Sequence, residues 1–380
     1  MKILYDYLIF SLQRYGGVSR YFCGLIKAIQ DLCKEEIEIF LFQGLHINDY
    51  ITNDMKVRLK SYWGYKRPYI KKTNFIFSTL NRFLFEAYKK KTFFNNYNTI
   101  YHPTYYSDNL LKPHKNDKIV ITVYDMIYEK FPKYFSNIKF SSYNLILYKK
   151  KKAIEMADAI ICISNNTKKD LLEYYKLDEN KVYVTYLGKS LNKHIGNFCY
   201  KLSKPYILFV GNRGGYKNFD ILLKAYYYGR FYKNFDLICF GGNFFNKNEL
   251  ENISRFNLRK KIKFFKGGDE VLAFLYRNAK CLVYASMYEG FGLPVIEAMN
   301  LGCPVIAANS SSLPEIVGDC ALFFEADSID DLITKLTSIM SDDKKRKIII
   351  EKGLKRATKF SWKNTALKTI EIYKKLANED

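Results

Sequence analysis

Short apolar runs alternate along this chain with longer stretches whose apolar residues recur at helical spacing. Ile3–Leu4, Ile37–Phe42, Thr99–Tyr101, Ile119–Val123 and Ala159–Ile163 predict strands, with helices such as Val18–Asp31 and Asn166–Tyr175 between them. A second series starts afresh with Tyr206–Val210, Asp236–Phe240, Lys261–Phe265, Cys281–Ala285 and Val305–Ala307. Such alternation predicts a parallel sheet covered on both faces. The polar segment Lys189–Lys204 separates the two series. We therefore expect an α/β protein of two doubly wound, Rossmann-like domains, 1–190 and 205–360. A last helix should follow Ser361, a plausible N-cap. Ligands of open parallel sheets sit beyond the carboxyl ends of the strands, so the loops after each run carry the candidate chemistry.

Length agrees with that division, because 380 residues are many for one core. The formal net charge of +23 points to an acidic partner: nucleotide, phospholipid or nucleic acid. It is uneven. Between Lys56 and Lys91 there are eleven Lys or Arg and one acid, Glu86, interleaved with aromatics from Tyr62 to Phe85. Lys149–Lys152 form a second basic block. These stretches read either as solvated faces or as contact with an anionic membrane surface, where each nearby cation contributes about 1 kcal/mol. No nucleic-acid motif accompanies them, which disfavours that partner. No run of about 18 apolar residues occurs, and Met1–Asp6 starts as a strand rather than a leader. A cytoplasmic protein, with room for peripheral contact on the inner face of the membrane, is the expectation. The eight cysteines lie mostly in apolar runs and read as reduced core thiols, and no Cys/His spacing suits a metal. No cofactor is implied.

Glu289 and Glu297 bracket Glu-Gly-Phe-Gly-Leu-Pro-Val-Ile-Glu, just after the Cys281–Ala285 run. Gly290 and Gly292 break regular structure, and Pro294 suits a helix start. The order strand, glycine loop, helix puts Glu289 at the loop mouth and Glu297 in the first helical turn. Carboxylates accept from hydroxyls and a helix start attracts anions, so the pair suits a polyhydroxylated ligand carrying phosphate. The plainer reading is an acid favouring the helix dipole beside ordinary turn glycines.

The stretch Tyr288–Ala308, continuing through Leu313-Pro314-Glu315-Ile316-Val317-Gly318, closely resembles the signature of retaining, family-4 (group 1) glycosyltransferases of GT-B fold. The resemblance implies two facing domains, with the final helix, 361–380, crossing back to the first. It implies that Glu289 engages donor-sugar hydroxyls and Glu297 the nucleotide ribose. Backbone groups of Phe291, Gly292 and Leu293 would meet the diphosphate or sugar.

Other loops fit the same family. Gly16-Gly17, within Arg14–Tyr21, is similar to its N-terminal loop over the donor phosphates and the acceptor, though a tight turn would also explain two glycines. Gly211–Asn218 follows a strand and offers Arg213 and Lys217, cations that can stabilise a departing nucleoside diphosphate without a metal. Lys217-Asn218 match the family's Lys-Asn; Asn212 stands where the family has arginine, with Arg213 one residue later. Relatives often carry His-Asp where this chain has Tyr124-Asp125, so a histidine base is excluded there, and tyrosine is a poor base at neutral pH. Asp125 stays a catalytic candidate or a helix cap. His102 lines the acceptor side or is structural. No Asp-x-Asp triplet occurs to hold a metal.

The expectation is thus a hexosyltransferase that takes a nucleotide-sugar donor, with GDP-mannose favoured and a UDP-sugar also possible. The acceptor would be a glycan or lipid-linked hydroxyl in surface polysaccharide or lipopolysaccharide assembly. With no carboxylate poised as nucleophile, front-face transfer is favoured. The alternatives are a nucleotide-sugar epimerase on the same fold and a non-catalytic lipid- or nucleic-acid-binding protein.

Overall fold

The computed structural model describes residues 1–33, 36–70, 73–93, 99–108, 110, 116–136, 138–191, 198–200 and 202–378. The chain divides into two compact units. One comprises Met1–Gly188 with Ser361–Asp380, the other Lys189–Phe360.

The first unit holds a seven-stranded sheet of order β3-β2-β1-β4-β5-β6-β7. Its strands are β1 (Lys2–Tyr5), β2 (Glu38–His46), β3 (Ser61–Lys66), β4 (Thr99–Tyr101), β5 (Lys118–Val123), β6 (Ala159–Cys162) and β7 (Val182–Val184). Every pairing is parallel. β3 and β7 go beyond the expected strands. β7 is three residues long, and β3 (Ser-Tyr-Trp-Gly-Tyr-Lys) is an edge strand with one exposed side, so neither makes a continuous apolar run. β2 runs past Phe42 through a bulge at Gly44, whose φ is +66°. Asn81 fixes that bulge: its carboxamide accepts from the Leu45 N–H at 2.7 Å and donates to the Leu45 carbonyl at 3.2 Å.

The final helix, Trp362–Ala377, belongs to this unit. Ser361 caps it by accepting from the Asn364 N–H at 3.1 Å. The Trp362 ring lies where a Cβ on Gly24 would stand 2.4 Å away, so glycine is needed for the helix to seat.

The second unit holds a six-stranded parallel sheet of order β10-β9-β8-β11-β12-β13. Its strands are β8 (Tyr206–Val210), β9 (Asp236–Phe240), β10 (Ile262–Phe265), β11 (Cys281–Tyr284), β12 (Val305–Ala308) and β13 (Leu322–Phe324). β13 is again a three-residue strand beyond the expectation. Lys189 joins this unit by donating to Asn300 Oδ1 at 2.9 Å, and Asn300 Nδ2 donates to the Leu191 carbonyl at 2.8 Å.

Both sheets reverse their strand order at the centre, between β1 and β4 and between β8 and β11. The carboxyl ends of those strand pairs are where such folds bind ligands.

Candidate functional site

In the second unit, the loops leaving β8 and β11 lie side by side because their strands are neighbours at the reversal. The Met287 N–H donates to the Tyr216 carbonyl at 2.8 Å, joining them. Lys217 then meets Glu289, with Nζ 2.5 Å from Oε1. Both side chains are largely withdrawn from water, at 16% and 13% exposure. Lys217 Nζ also lies 5.1 and 5.6 Å from the ring centroids of Tyr216 and Tyr284. Burial alone would lower the Lys217 pKa, but the charge of Glu289 and the Tyr284 hydroxyl outweigh it and raise it. The cation therefore stays charged throughout the neutral range.

Three serines that sequence reasoning missed hold this loop. The Glu289 N–H donates to Ser311 Oγ at 2.8 Å, and Ser312 Oγ donates to the Glu289 carbonyl at 2.9 Å. Ser310 Oγ donates to the Ser286 carbonyl at 2.8 Å. Their signal was available: a serine triplet one residue after an apolar strand and just before Leu313-Pro314-Glu315.

Gly292 caps the next helix, Leu293–Asn300, in the left-handed region (φ 97°), where a Cβ would stand 2.9 Å from Leu313 Cδ2. The helix starts one residue before Pro294. Glu297 is therefore its fifth residue, in the second turn rather than the first as expected. It is 3% exposed. Phe291 is buried and packs edge-on against Phe360, with centroids 5.8 Å apart. Leu293 is half-buried at the helix start.

Arg213 does not join Lys217. Its Nε and Nη2 pair with Glu249 at 3.1 and 3.4 Å, while Nη1 and Nη2 donate to the Gly241 and Asn243 carbonyls at 3.3 and 2.5 Å. Its guanidinium lies 4.6 Å from the Phe245 centroid. Glu249 in turn forms a capping box with Asn246. Arg213 thus ties the loop after β8 to the loop after β9.

In the first unit, Gly16 caps the helix Gly17–Leu32 with extended backbone. The Ser19 N–H donates to Gln13 Oε1 at 3.2 Å, and a Cβ on Gly16 would fall 2.2 Å from that oxygen. Gly17 is exposed. Arg14 pairs with Asp49 at 2.8 Å beside this turn. Tyr124 is buried, its hydroxyl donating to the Thr104 carbonyl at 3.2 Å, and burial pushes its pKa well above the ordinary tyrosine value. Asp125 is half-buried, and its Oδ1 accepts from the Ile127 N–H at 3.2 Å, a local capping bond. Its carbonyl accepts from Lys150 Nζ at 2.6 Å. Lys150 is itself buried and paired with Glu129 at 3.0 Å, so the block Lys149–Lys152 is not the uniform basic surface its sequence suggests.

Behind β1 and β4 lies a closed polar network. Asp6 is fully buried. Its Oδ1 accepts from the Thr104 hydroxyl (2.6 Å), the Thr104 N–H (3.0 Å) and the Leu8 N–H (3.1 Å), and its Oδ2 from the Tyr101 hydroxyl (2.8 Å). His102 lies between the Tyr373 and Thr122 hydroxyls at 2.5 and 2.9 Å, and burial pushes its pKa down to about 3. It is a structural histidine. Among the described residues no three His, Cys, Asp or Glu side chains group as a metal would need.

Two family models match the chain, "Glycosyl transferases group 1" over residues 200–356 and "Glycosyltransferase Family 4" over residues 15–192. The chain is similar to O-antigen chain mannosyltransferase B of Escherichia coli, with 29% identity over 286 residues, covering 72% of this chain and 74% of that protein. It is similar also to the serotype-specific mannosyltransferase WbdA of E. coli, at 26% identity over 58% of this chain but only 29% of that longer protein. Among solved structures, sucrose-phosphate synthase from Thermosynechococcus elongatus superposes with a TM-score of 0.74 at 20% identity, covering 99% and 98% of the two chains.

Proposed function

The chain belongs to the group 1, family-4 glycosyltransferases of GT-B fold, and from that premise we propose that it moves a hexose from a nucleotide-diphosphate sugar to an acceptor hydroxyl in surface polysaccharide or lipopolysaccharide assembly. The observation that carries this is the Lys217–Glu289 pair at the carboxyl ends of β8 and β11. A donor entering there offers both partners what they need. Lys217 can turn from Glu289 to the diphosphate and stabilise the charge that develops as the leaving group departs. Glu289 is then released to accept from sugar hydroxyls, while the serine-held backbone keeps it in place. Glu297, behind the loop, would take the ribose. Arg213 is read as a positioning residue rather than a phosphate contact, because its donors face Glu249 and two carbonyls. Gly16, Gly17, Tyr124 and Asp125 would belong to the acceptor side; Tyr124 would contribute a hydroxyl, never a base.

GDP-mannose is the favoured donor, supported by the mannosyltransferase relatives. Retention at the anomeric carbon is the stereochemical reading, with the leaving phosphate helping to take the acceptor proton. A lipid-linked acceptor would be met at a membrane surface peripherally, since no helix among the described residues is long and apolar enough to cross one.

The test is Glu289→Ala. Transfer should fall by roughly a hundredfold or more at unchanged folding, and undiminished activity would remove the assignment. A thermal-shift screen of nucleotide sugars reads the donor separately, since a ligand bound only by the folded state raises the melting temperature.

A further inference from the structure

The helix Asn74–Phe93 lies on β2 of the first unit with an inner face that is already satisfied. Asn81 bonds the β2 bulge, and Phe85 packs on Phe42 with centroids 5.2 Å apart. Its outer face is nonetheless apolar. Phe75, Ile76, Leu80 and Phe83 are 82%, 64%, 42% and 71% exposed, and 76, 80 and 83 share one helical stripe. Tyr69 and Ile70, just before the helix, are exposed too. A helix facing only water does not place phenylalanines at its outermost positions. Exposed Arg82, Lys90 and Lys91 border the stripe, while the one acid of the helix, Glu86, is 36% exposed and is offset by its 2.8 Å pair with the buried Lys89.

We propose that this face is a peripheral docking surface for an anionic lipid bilayer, with the apolar stripe entering the headgroup boundary and the cations meeting lipid phosphates. The charge selects that occupant. A second copy seated on the same patch by two-fold symmetry would set Arg82, Lys90 and Lys91 near their own like charges. Nucleic acid would use the aromatics for stacking but has no use for Ile76 and Leu80. Apolar side chains flanked by cations on a helix are what an interfacial segment needs. The inference does not depend on the sugar-transfer reading.

The test is co-sedimentation of the full chain with vesicles of phosphatidylcholine alone and of phosphatidylcholine mixed with phosphatidylglycerol. The chain should sediment with the mixed vesicles only, less as salt rises. The triple variant Phe75→Ser, Ile76→Ser, Phe83→Ser should bind them about tenfold or more weakly. The variant Arg82→Glu, Lys90→Glu, Lys91→Glu should do the same. Both should keep the parent's thermal unfolding, because every substituted side chain is exposed. Equal binding to both vesicles, no binding, or binding that survives the apolar triple variant overturns the proposal. So does a concentration-dependent dimer abolished by that variant, or oligonucleotide binding in place of vesicle binding.

Discussion

The two central strand reversals share one topology and are filled in opposite ways. At β1 and β4, Asp6 is sealed under four donated hydrogen bonds and His102 is clasped between two hydroxyls. At β8 and β11, Lys217 and Glu289 meet as an ion pair at 2.5 Å, each side chain still partly open to solvent. The fold supplies the position in both cases. The loop residues decide whether it becomes a sealed brace or, as proposed for β8 and β11, a place where a ligand exchanges for a partner.

The sharpest way to break this contrast is Lys217→Ala. Transfer should fall by about a hundredfold or more, with some loss of stability because Glu289 is left without its partner, but less than for a fully buried carboxylate, since Glu289 keeps 13% exposure. A stability loss as large as that of removing Asp6 would make the second reversal a brace too. The mirror experiment is Asp6→Ala, which leaves buried donors without their acceptor. Urea unfolding should record a loss of about 3–5 kcal/mol; a stable variant with lost turnover would move Asp6 into the chemistry.

Arg213→Leu separates the two cations of the β8 loop. A stability loss of about 2–4 kcal/mol, with the donor affinity of the folded protein unchanged, fits a positioning residue. A fall in donor affinity alone, measured by titration calorimetry, would return Arg213 to the phosphates.

The gentlest test is acidification. His102 has a folded pKa of about 3 against about 6.5 when unfolded, so the native state favours the neutral ring. Its contribution is complete above pH 6.5 and is lost as the pH falls toward 3, by up to about 1.4 kcal/mol per pH unit. His102→Gln should flatten that slope in urea titrations at successive pH values, and an unchanged slope would place the titration elsewhere.

Ten strands were legible because buried parallel strands are nearly continuous apolar runs, as in Tyr206–Val210. β3, β7 and β13 escaped because two are short and only partly buried, unlike the equally short but fully buried β4, and one carries a glycine at an exposed edge. Glu289 and Lys217 could be singled out from glycine loops after strands, but their mutual contact depends on β8 and β11 being neighbours, which no local pattern states. Glu297 slipped a turn because Gly292, in a left-handed conformation, lets the helix begin before the proline. Arg213 looked like a second loose cation. Its partner, Glu249, is 36 residues away on the helix that follows β9. Lys150 hid in a run of four lysines, although only one faces the interior.

Tyr373, near the end of the chain, donates or accepts at Tyr5 and His102 inside the first sheet's core. A ribosome therefore finishes every strand of the second sheet before it has made a piece the first one lacks. The half synthesised first is the half completed last, and in the meantime a nascent chain must carry an open seam beside the helix Gly17–Leu32. Chains released before residue 361 should be recognised by quality-control proteases through that seam, with the later-made half already folded and resistant.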